Sequence, residues 1–529
     1  MGRIKTSQLI YNIFFSILSG LLIALLFPNF NLEFLAWFSL VPLLYVMEKS
    51  RGFRESFLYG FLTGLVSYIV ILYWVVYTVR VYGNLPYYIA VLALFLLAGY
   101  LALFTGLFAA FGKIILLNYK RLGIFLIPAS WVFFELLKSS LLTGFPWENL
   151  GFSQYLNIPF IQVSDIIGVF GLSFIIVLIN YILFHSIFLH KEISRKTAFL
   201  ELLTGLLVFA SVILYGYYNI FSLNSYLINK KPLEVALIQG NIGMFKKWKI
   251  TPERTTRIYM ALTEKSLKYK PSLVVWPETS LPYIISLNPP YWDKVMEYSR
   301  KNNINLIFGA IGYRFYNNED HFYNRAYMFT KDGKYTYYDK RHLVPFGEYT
   351  PLKKELPFLS YILRGAGIGN FSAGKHYRLL KSASLRVGAM ICYEAYFDSL
   401  ARHFTEKGAN LLVSITDDAW YGKTSAPYQD MSMTVFSAVE NGRYVVRAGN
   451  SGISGIISPT GKIVEETGIF KRTFLIGHIK PVNKKTFFVL YGNIFTYIIS
   501  GLFLFSILFL ILRKQVRMNS GSGRMPAKK

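Results

Sequence analysis

Seven long apolar segments fill the first 220 residues of the chain, and an eighth stands near its C-terminus. They cover roughly 9–27, 32–47, 57–79, 87–112, 123–141, 168–189, 198–218 and 486–512. Crossing a hydrocarbon core takes about 20 helical residues, and most of the eight reach that length. Helices in soluble cores rarely run so far without charge, so these segments predict membrane spans. The segment 32–47 is short, and both a span and a re-entrant loop are open for it. A span makes the count eight. The start, Met1-Gly2-Arg3-Ile4-Lys5, has the basic character of a signal peptide. The apolar stretch behind it is too long, and no small-x-small cleavage site precedes Pro28-Asn29, so it reads as an uncleaved anchor.

Composition agrees. Of 529 residues, 53% are hydrophobic and 16% charged, where soluble domains carry about 25% charged residues. Mean hydropathy is +0.37 and aromatics reach 17%. Both a single water-soluble domain and a disordered chain are excluded. The formal net charge of +27 needs to be located before it suggests a partner. With eight spans, one set of short segments holds Arg3, Lys5, Lys49, Arg51, Arg54, Lys113, Lys120, Arg121, Lys191, Arg195 and Lys196, and the tail adds Arg513, Lys514, Arg517, Arg524, Lys528 and Lys529. The opposite set (28–31, 80–86, 142–167) holds only Arg80. The positive-inside rule then puts both termini in the cytoplasm and the long stretch between the seventh and eighth spans outside. Much of the charge is topological, and no nucleic-acid partner is needed to explain it.

The chain divides accordingly into 1–220 (spans one to seven), 230–482 (an external domain), 486–512 (span eight) and a basic cytoplasmic tail, 513–529, low in complexity and expected to be disordered after Met518. In the external domain the runs at 235–239, 273–277, 305–312, 386–395 and 410–417 read as buried strands. Helical patterns cover 252–269, 290–302, 397–407 and 428–446. Ser458-Pro459-Thr460-Gly461-Lys462 and Lys331-Asp332-Gly333-Lys334 have the chemistry of hairpin turns. Strand and helix alternate, so the class is α/β with helices on sheet faces. About 250 residues can hold a core of their own.

Three residues invite chemistry. Cys392, the single cysteine, lies near the end of a predicted strand in Met390-Ile391-Cys392-Tyr393-Glu394. A small core residue is one reading; a reactive group at a strand end is the other. Glu278 follows a strand in Trp276-Pro277-Glu278, where burial would raise its pKa toward that of a general base, although a turn carboxylate would look the same. Lys340 opens Lys340-Arg341-His342-Leu343-Val344-Pro345-Phe346-Gly347-Glu348-Tyr349. Near a cysteine, a lysine would lower the thiol pKa and stabilise an oxyanion.

In this order and at these separations, the WPE, DKRHLVPFGEY and CYE motifs resemble the Glu-Lys-Cys triad of the nitrilase superfamily, whose domain is an αββα sandwich. Eight spans around such a domain resemble the bacterial apolipoprotein N-acyltransferase family over nearly the whole chain. Gln239-Gly240-Asn241 with Trp248, Gly144-Phe145-Pro146-Trp147 and Asp418-Ala419-Trp420-Tyr421-Gly422 also fit its pattern; Tyr421 stands where phenylalanine is more usual. The resemblance implies Glu278 as general base, Lys340 as electrostatic stabiliser and Cys392 as nucleophile. Glu348 matches a further carboxylate that would hold Lys340, and Tyr393, Glu394, Trp248 and Trp420 match positions around the acyl-enzyme and substrate pocket. It implies no cofactor and no metal. The donor would be a phospholipid, usually phosphatidylethanolamine, giving up its sn-1 acyl chain. The acceptor would be the α-amine of a diacylated apolipoprotein, at the periplasmic face of a bacterial inner membrane. The apolar stretch Leu356–Leu363, including Phe358 and Leu363, reads either as a membrane-dipping lid over the site or as ordinary core.

Competing readings explain less. A membrane-tethered nitrilase-type amidase would use the same triad without needing eight spans. A serine hydrolase would need a G-x-S-x-G elbow, which Gly449-Asn450-Ser451-Gly452-Ile453 is not. A zinc enzyme would need clustered ligands, whereas the seven histidines are scattered, and Asp417-Asp418 reads as a strand-end pair. A transporter or scaffold would want intramembrane charge; Glu135 and Lys138, spaced i,i+3, suit a helix-surface ion pair.

Overall fold

The computed structural model describes residues 6–119, 122–188, 194–243, 247, 251–350 and 370–521. The N-terminal apolar segments form α1 (Thr6–Ala24), α2 (Val41–Lys49), α3 (Phe53–Ile71), α4 (Trp74–Val81), α5 (Tyr87–Asn118), α6 (Gly123–Ser140), α7 (Ile158–Ile161), α8 (Ser164–Phe188) and α9 (Arg195–Ile228). An α/β domain follows, which among the described residues has twelve strands and the helices α10 (Pro252–Ser266), α11 (Pro289–Lys301), α12 (Asp398–Glu406) and α13 (Ala426–Asn441). The chain then returns to the bundle through α14 (Phe487–Tyr491) and α15 (Ile494–Gly521).

Among the described residues, six helices are long and apolar enough to cross a membrane, and α3 with α4, bent by 57°, would make a seventh. Of the eight expected spans, the segment 32–47 is the one without a helix of spanning length. There Pro42 in the first turn fixes the start of α2, which lasts nine residues, about 14 Å or half a hydrocarbon core. Only a 3-10 turn, Glu33–Trp37, precedes it. At the C-terminus α15 runs on through Gly521, so the stretch expected to be disordered after Met518 begins as helix.

Contacts identify the two ends of the bundle. Lys113 Nζ, near the end of α5, donates to Glu48 O near the end of α2 (2.7 Å), and Ser56 Oγ, early in α3, donates to Ala109 O (2.8 Å). This end carries Lys49, Arg51 and Arg54. At the other end the α/β domain is seated through Gln429 of α13. Its amide donates to Pro28 O and Ile71 O (both 3.1 Å) and accepts from the Trp74 and Trp147 indoles (3.0 and 2.9 Å). The domain thus sits opposite the basic loops. Here too the expected Glu135–Lys138 surface pair is corrected. Both side chains are buried; Glu135 Oε1 accepts from Leu150 N (2.7 Å), and Lys138 donates to Trp147 O (3.3 Å) and Tyr68 Oη (3.2 Å).

Two six-stranded sheets make the domain. One has β1 (Leu233–Gln239), β2 (Leu273–Val275), β3 (Asn305–Tyr316), β4 (Glu319–Phe329) and β5 (Tyr335–Asp339), with β12 (Thr473–Ile479) beside β1. The other runs from β6 (Leu380–Lys381) through β7 (Arg386–Ile391), β8 (Leu411–Thr416), β9 (Val445–Gly449) and β10 (Gly455–Ile457) to β11 (Ile463–Glu466). Strands β1–β2–β3 and β7–β8–β9 are parallel within each sheet. Period-two alternation separates the layers. Val235, Leu237, Val275 and Met328 join the core that includes the second sheet, whereas Ala236, Ile238, Trp276 and Phe329 pack with residues of α10 and α11. Both expected hairpins are present.

Candidate active site

The three residues of the expected triad leave the carboxyl ends of β2, β5 and β7. After β2, Trp276 is anchored by its indole N–H to Thr263 Oγ1 of α10 (2.9 Å), which fixes the start of the turn carrying Glu278. Strand β3 passes so close that a Cβ on Gly309 would meet Glu278 Cα at 2.7 Å; only glycine fits there. Cys392 directly follows β7 with φ +55°, a left-handed conformation costing an L-residue about 1–2 kcal/mol. The carboxylate of Glu394 holds this turn. It accepts from Ile391 N (2.9 Å), Tyr338 Oη (2.8 Å), Arg341 N (2.8 Å) and His342 N (3.1 Å). Glu394 therefore braces the Cys392 turn against the Lys340 loop.

Lys340 is almost fully buried, its Nζ 2.9 Å from Glu348 Oε2 and 3.7 Å from Glu278 Oε1. Asn324, which sequence reasoning missed, joins the carboxylates: its amide donates to Glu278 Oε1 and Glu348 Oε1, both at 2.7 Å. Glu278 Oε2 accepts from Asp417 N (3.0 Å), and Glu348 Oε2 from Val344 N (2.8 Å). A second unforeseen pair lies behind: Lys247 Nζ donates to Asp417 Oδ2 (2.5 Å) and Glu278 O (3.1 Å). Asp417 and Asp418 do stand at a strand end, directly after β8. No spacing rule could have found Lys247 and Asp417 together, because 170 residues separate them.

The electrostatics follow from burial. Burial pushes the Glu278 carboxyl up and the nearby Glu348 charge adds to this, while Lys340 and the Asn324 bond pull the other way without cancelling it. Burial alone would lower the Lys340 pKa, but Glu348 and Glu278 outweigh it, so the ammonium is held. Burial pushes the Cys392 thiol well up, Glu278 adds to the rise and Lys340 opposes it. At rest the cysteine is a thiol, and its nucleophilic form requires a nearby proton acceptor. A carboxylate with a raised pKa suits that task. His342 does not compete: burial first, then Lys340, lowers its pKa to about 4.

Tyr393 and Trp420 sit where the domain meets the bundle. Tyr393 Oη donates to Gly144 O (3.0 Å), and Thr78 Oγ1 donates to Trp420 O (3.0 Å). The Trp420 ring packs edge-on against Tyr82 at 5.3 Å. Trp248, Phe358, Leu363 and the rest of the Leu356–Leu363 stretch lie outside the described residues.

Residues 19–182 match the family described as the apolipoprotein N-acyltransferase N-terminal domain, and residues 234–483 match the carbon-nitrogen hydrolases. The chain is similar to the apolipoprotein N-acyltransferase of Geobacter metallireducens, with 38% identity over 91% of this chain and 92% of that relative. It is also similar to the apolipoprotein N-acyltransferase of Rickettsia bellii, with 32% identity over 94% of this chain and 98% of the relative. Among solved structures, Saccharomyces cerevisiae Nit3 of the nitrilase superfamily is 20% identical with a TM-score of 0.37, covering 47% of this chain and 91% of that one. With helices, sandwich and strand-end residues in one chain, and such relatives aligned end to end, the chain belongs to the apolipoprotein N-acyltransferase family.

Proposed function

We propose that Cys392, Glu278 and Lys340 perform the acyl transfer in two half-reactions. Glu278 takes the Cys392 proton as the sulfur attacks the sn-1 ester of a phospholipid, phosphatidylethanolamine being the expected donor. Lys340 stabilises the tetrahedral oxyanion. Collapse breaks the ester C–O bond, the leaving alkoxide takes the proton from Glu278, and a lysophospholipid departs from a Cys392 thioester. The α-amine of the S-diacylglyceryl cysteine of an apolipoprotein then attacks the thioester. Glu278 accepts the amine proton and returns it to the departing sulfur, leaving an amide and the free enzyme. Glu348 holds Lys340; Tyr393, Trp248, Trp420, Phe358 and Leu363 shape the substrate path.

The observation that carries this reading is the Lys340 ammonium set between Glu278 and Glu348 beside a thiol that feels both Lys340 and Glu278. Its test is mass spectrometry of the full chain after incubation with phosphatidylethanolamine. A fatty-acyl adduct on Cys392, released by a diacylated lipopeptide, is expected. An adduct-free cysteine under turnover overturns it.

The working division is a bundle from 1 to 220, a catalytic domain from 230 to 482, a returning span from 486 to 512 and a basic tail from 513 to 529. The catalytic domain lies on the periplasmic side of the inner membrane, because it sits at the bundle end opposite the basic loops. The segment 28–50 completes an eighth crossing despite its short helix. In support, Pro28 meets Gln429 at one end and Glu48 meets Lys113 at the other. Cysteines placed at Asn318 and Ser520 in a Cys392→Ala background should label with an impermeant reagent from opposite sides. Labelling from the same side overturns the orientation. For the apolar stretch, replacing Phe358 and Leu363 with Ser should slow thioester formation from membranes while leaving domain stability unchanged. A drop of several kcal/mol would place it in the core instead.

A further inference from the structure

On the outer face of the first sheet, where β3 and β4 run past the triad, a cavity of about 520 Å³ opens. That volume falls within the range of small-molecule sites. Arg314, Tyr316, Tyr323, Tyr337, Lys375 and Arg378 line it. It is not part of the triad site. Strand alternation sends Asn324 toward Glu278 and its neighbours Tyr323 and Arg325 to the opposite face.

The lining is a set of cations held by rings. Lys375 lies over Tyr316 (5.8 Å), and Arg378 over Tyr337 (4.6 Å); among the described residues neither has a carboxylate partner. His376 adds a further basic group. Asp339, the one acid among the described lining residues, is already taken by Arg325 and by Arg314 (3.0 Å). Arg325 is 5% exposed, with its guanidinium 4.1 Å from the Tyr337 ring centroid. Its Nη2 is buried without a hydrogen-bond partner. Cations resting on rings need no ligand by themselves. Arg325 lies behind the lining, and what calls for an anion is the imbalance in front of it: Arg314, Lys375 and Arg378 face a single carboxylate that two arginines already engage.

The position narrows the acceptor. From Gly309, beside Glu278, β3 continues seven residues to Tyr316, about 23 Å. It runs parallel to β2 and on past the end that carries Glu278, and Tyr393 and Trp420, just after the carboxyl ends of β7 and β8, meet the bundle. The cavity therefore opens at the end of the domain that meets the bundle, where the headgroups of the surrounding leaflet would lie. We propose that this cavity binds a phosphate-bearing anion the size of a lipid headgroup, at a site separate from the acyl-transfer centre. Arginine forks and a lysine match phosphate oxygens, and the tyrosine rings hold the forks in place.

The experiment uses the full chain and the double variant Lys375→Gln/Arg378→Gln, with exposed Lys462→Gln as the control for loss of surface charge. Inorganic phosphate, titrated at constant ionic strength, should raise the unfolding temperature of the wild type and the control. The double variant should need about tenfold more phosphate. In parallel, native mass spectrometry after release from nanodiscs containing phosphatidylglycerol counts retained lipid. Retention by the wild type and loss by the double variant identifies a lipid headgroup. A phosphate response without retained lipid identifies free phosphate. No response from the wild type to either probe, or equal responses from the wild type and the double variant, overturns the proposal. Because neither readout uses acyl transfer, failure here is distinguishable from failure of the triad reading.

Discussion

Two buried clusters at the triad end of the sandwich each set one cation between two carboxylates: Lys340 with Glu278 and Glu348, and Arg447 with Asp418 and Asp430. Their charge arithmetic is the same, but their geometry is not. Arg447 is closed in, with Nη2 2.8 Å from Asp418 Oδ2, Nη1 2.8 Å from Asp430 Oδ1 and Nε donating to Ile453 O at 3.2 Å. The backbone wraps so tightly that a Cβ on Gly452 would collide with the Asp418 carboxylate. Lys340 bonds Glu348 but stands 3.7 Å from Glu278, outside hydrogen-bond range. Glu278 uses two of its roughly four acceptor sites, on Asn324 and Asp417 N. A guanidinium fork locks carboxylates, whereas an ammonium at one remove leaves a carboxylate free to take a proton. The Arg447 cluster has the features of a brace and the Lys340 cluster those of a reaction site.

The largest expected effects fall on the open cluster. Cys392→Ala should fold and form no acyl adduct, and Cys392→Ser should be almost as inactive. Glu278→Gln should slow thioester formation by roughly 10²–10⁴-fold, the usual worth of a general base, with little change in thermal unfolding. Single-turnover adduct formation and unfolding on the same protein check both halves. Acyl transfer by Cys392→Ala near the wild-type rate would sink the assignment.

The closed cluster should fail in the opposite way. Arg447→Met leaves two buried carboxylates without their cation, and breaking such a pair costs about 3–5 kcal/mol. Chemical denaturation should show that loss. At low temperature the folded fraction should retain thioester formation per molecule. A stable but inactive Arg447→Met would erase the distinction between brace and reaction site.

How much of this was legible follows from what is local. Strand-end motifs such as Trp276-Pro277-Glu278 are local, so the strand-end placement of Glu278, Lys340 and Cys392 could be read without knowing the fold, while the roles proposed for them came from the family resemblance. The helix expected over 428–446 overshoots: Gly442, at φ +59°, stops α13 at Asn441, and Val445 begins β9. That Asn-Gly stop was readable. So was Pro42 as a limit on α2. Asn324, Lys247 and Arg447 were not, because each meets its partner across sheet registers that only the folded chain defines. Once β4 is in register, Asn324 is a polar residue on an inward face shared with Ala326 and Met328, and only then does it stand out.

Activity and stability should respond to pH with opposite signs. Burial raises Asp418 to about 7, Arg447 opposing and Asp430 adding to it, against 3.8 for the ordinary group. A folded pKa above the unfolded value means that the native state binds more protons between about 4 and 7. This contribution to stability is full below that window and is lost as pH rises through it. Glu278 is also raised, but as a base it works only when ionised, so thioester formation should increase with pH across its own shifted pKa. Unfolding free energy and single-turnover rate, measured from pH 4 to 8, should therefore slope in opposite directions, and Asp418→Asn should flatten the stability slope alone. Parallel slopes would mean that one titration governs both.

The smallest effect tests what keeps the open cluster open. Asn324 donates to both carboxylates, and its bond to Glu278 favours the ionised form. Asn324→Ser is too short to reach either carboxylate. Glu278 then loses a positioning bond, which should slow thioester formation about tenfold, in line with a bond to a charged group worth about 1.5 kcal/mol. Loss of the same bond raises the Glu278 pKa further, so the acid limb of the rate profile should move to higher pH. A purely structural role would lower the unfolding temperature and leave the limb where it was. Moving the limb without destabilising the domain would assign Asn324 to the base. If Asn324→Ser instead lets Lys340 close onto Glu278, the limb should move to lower pH, and the open cluster would have become a copy of the closed one.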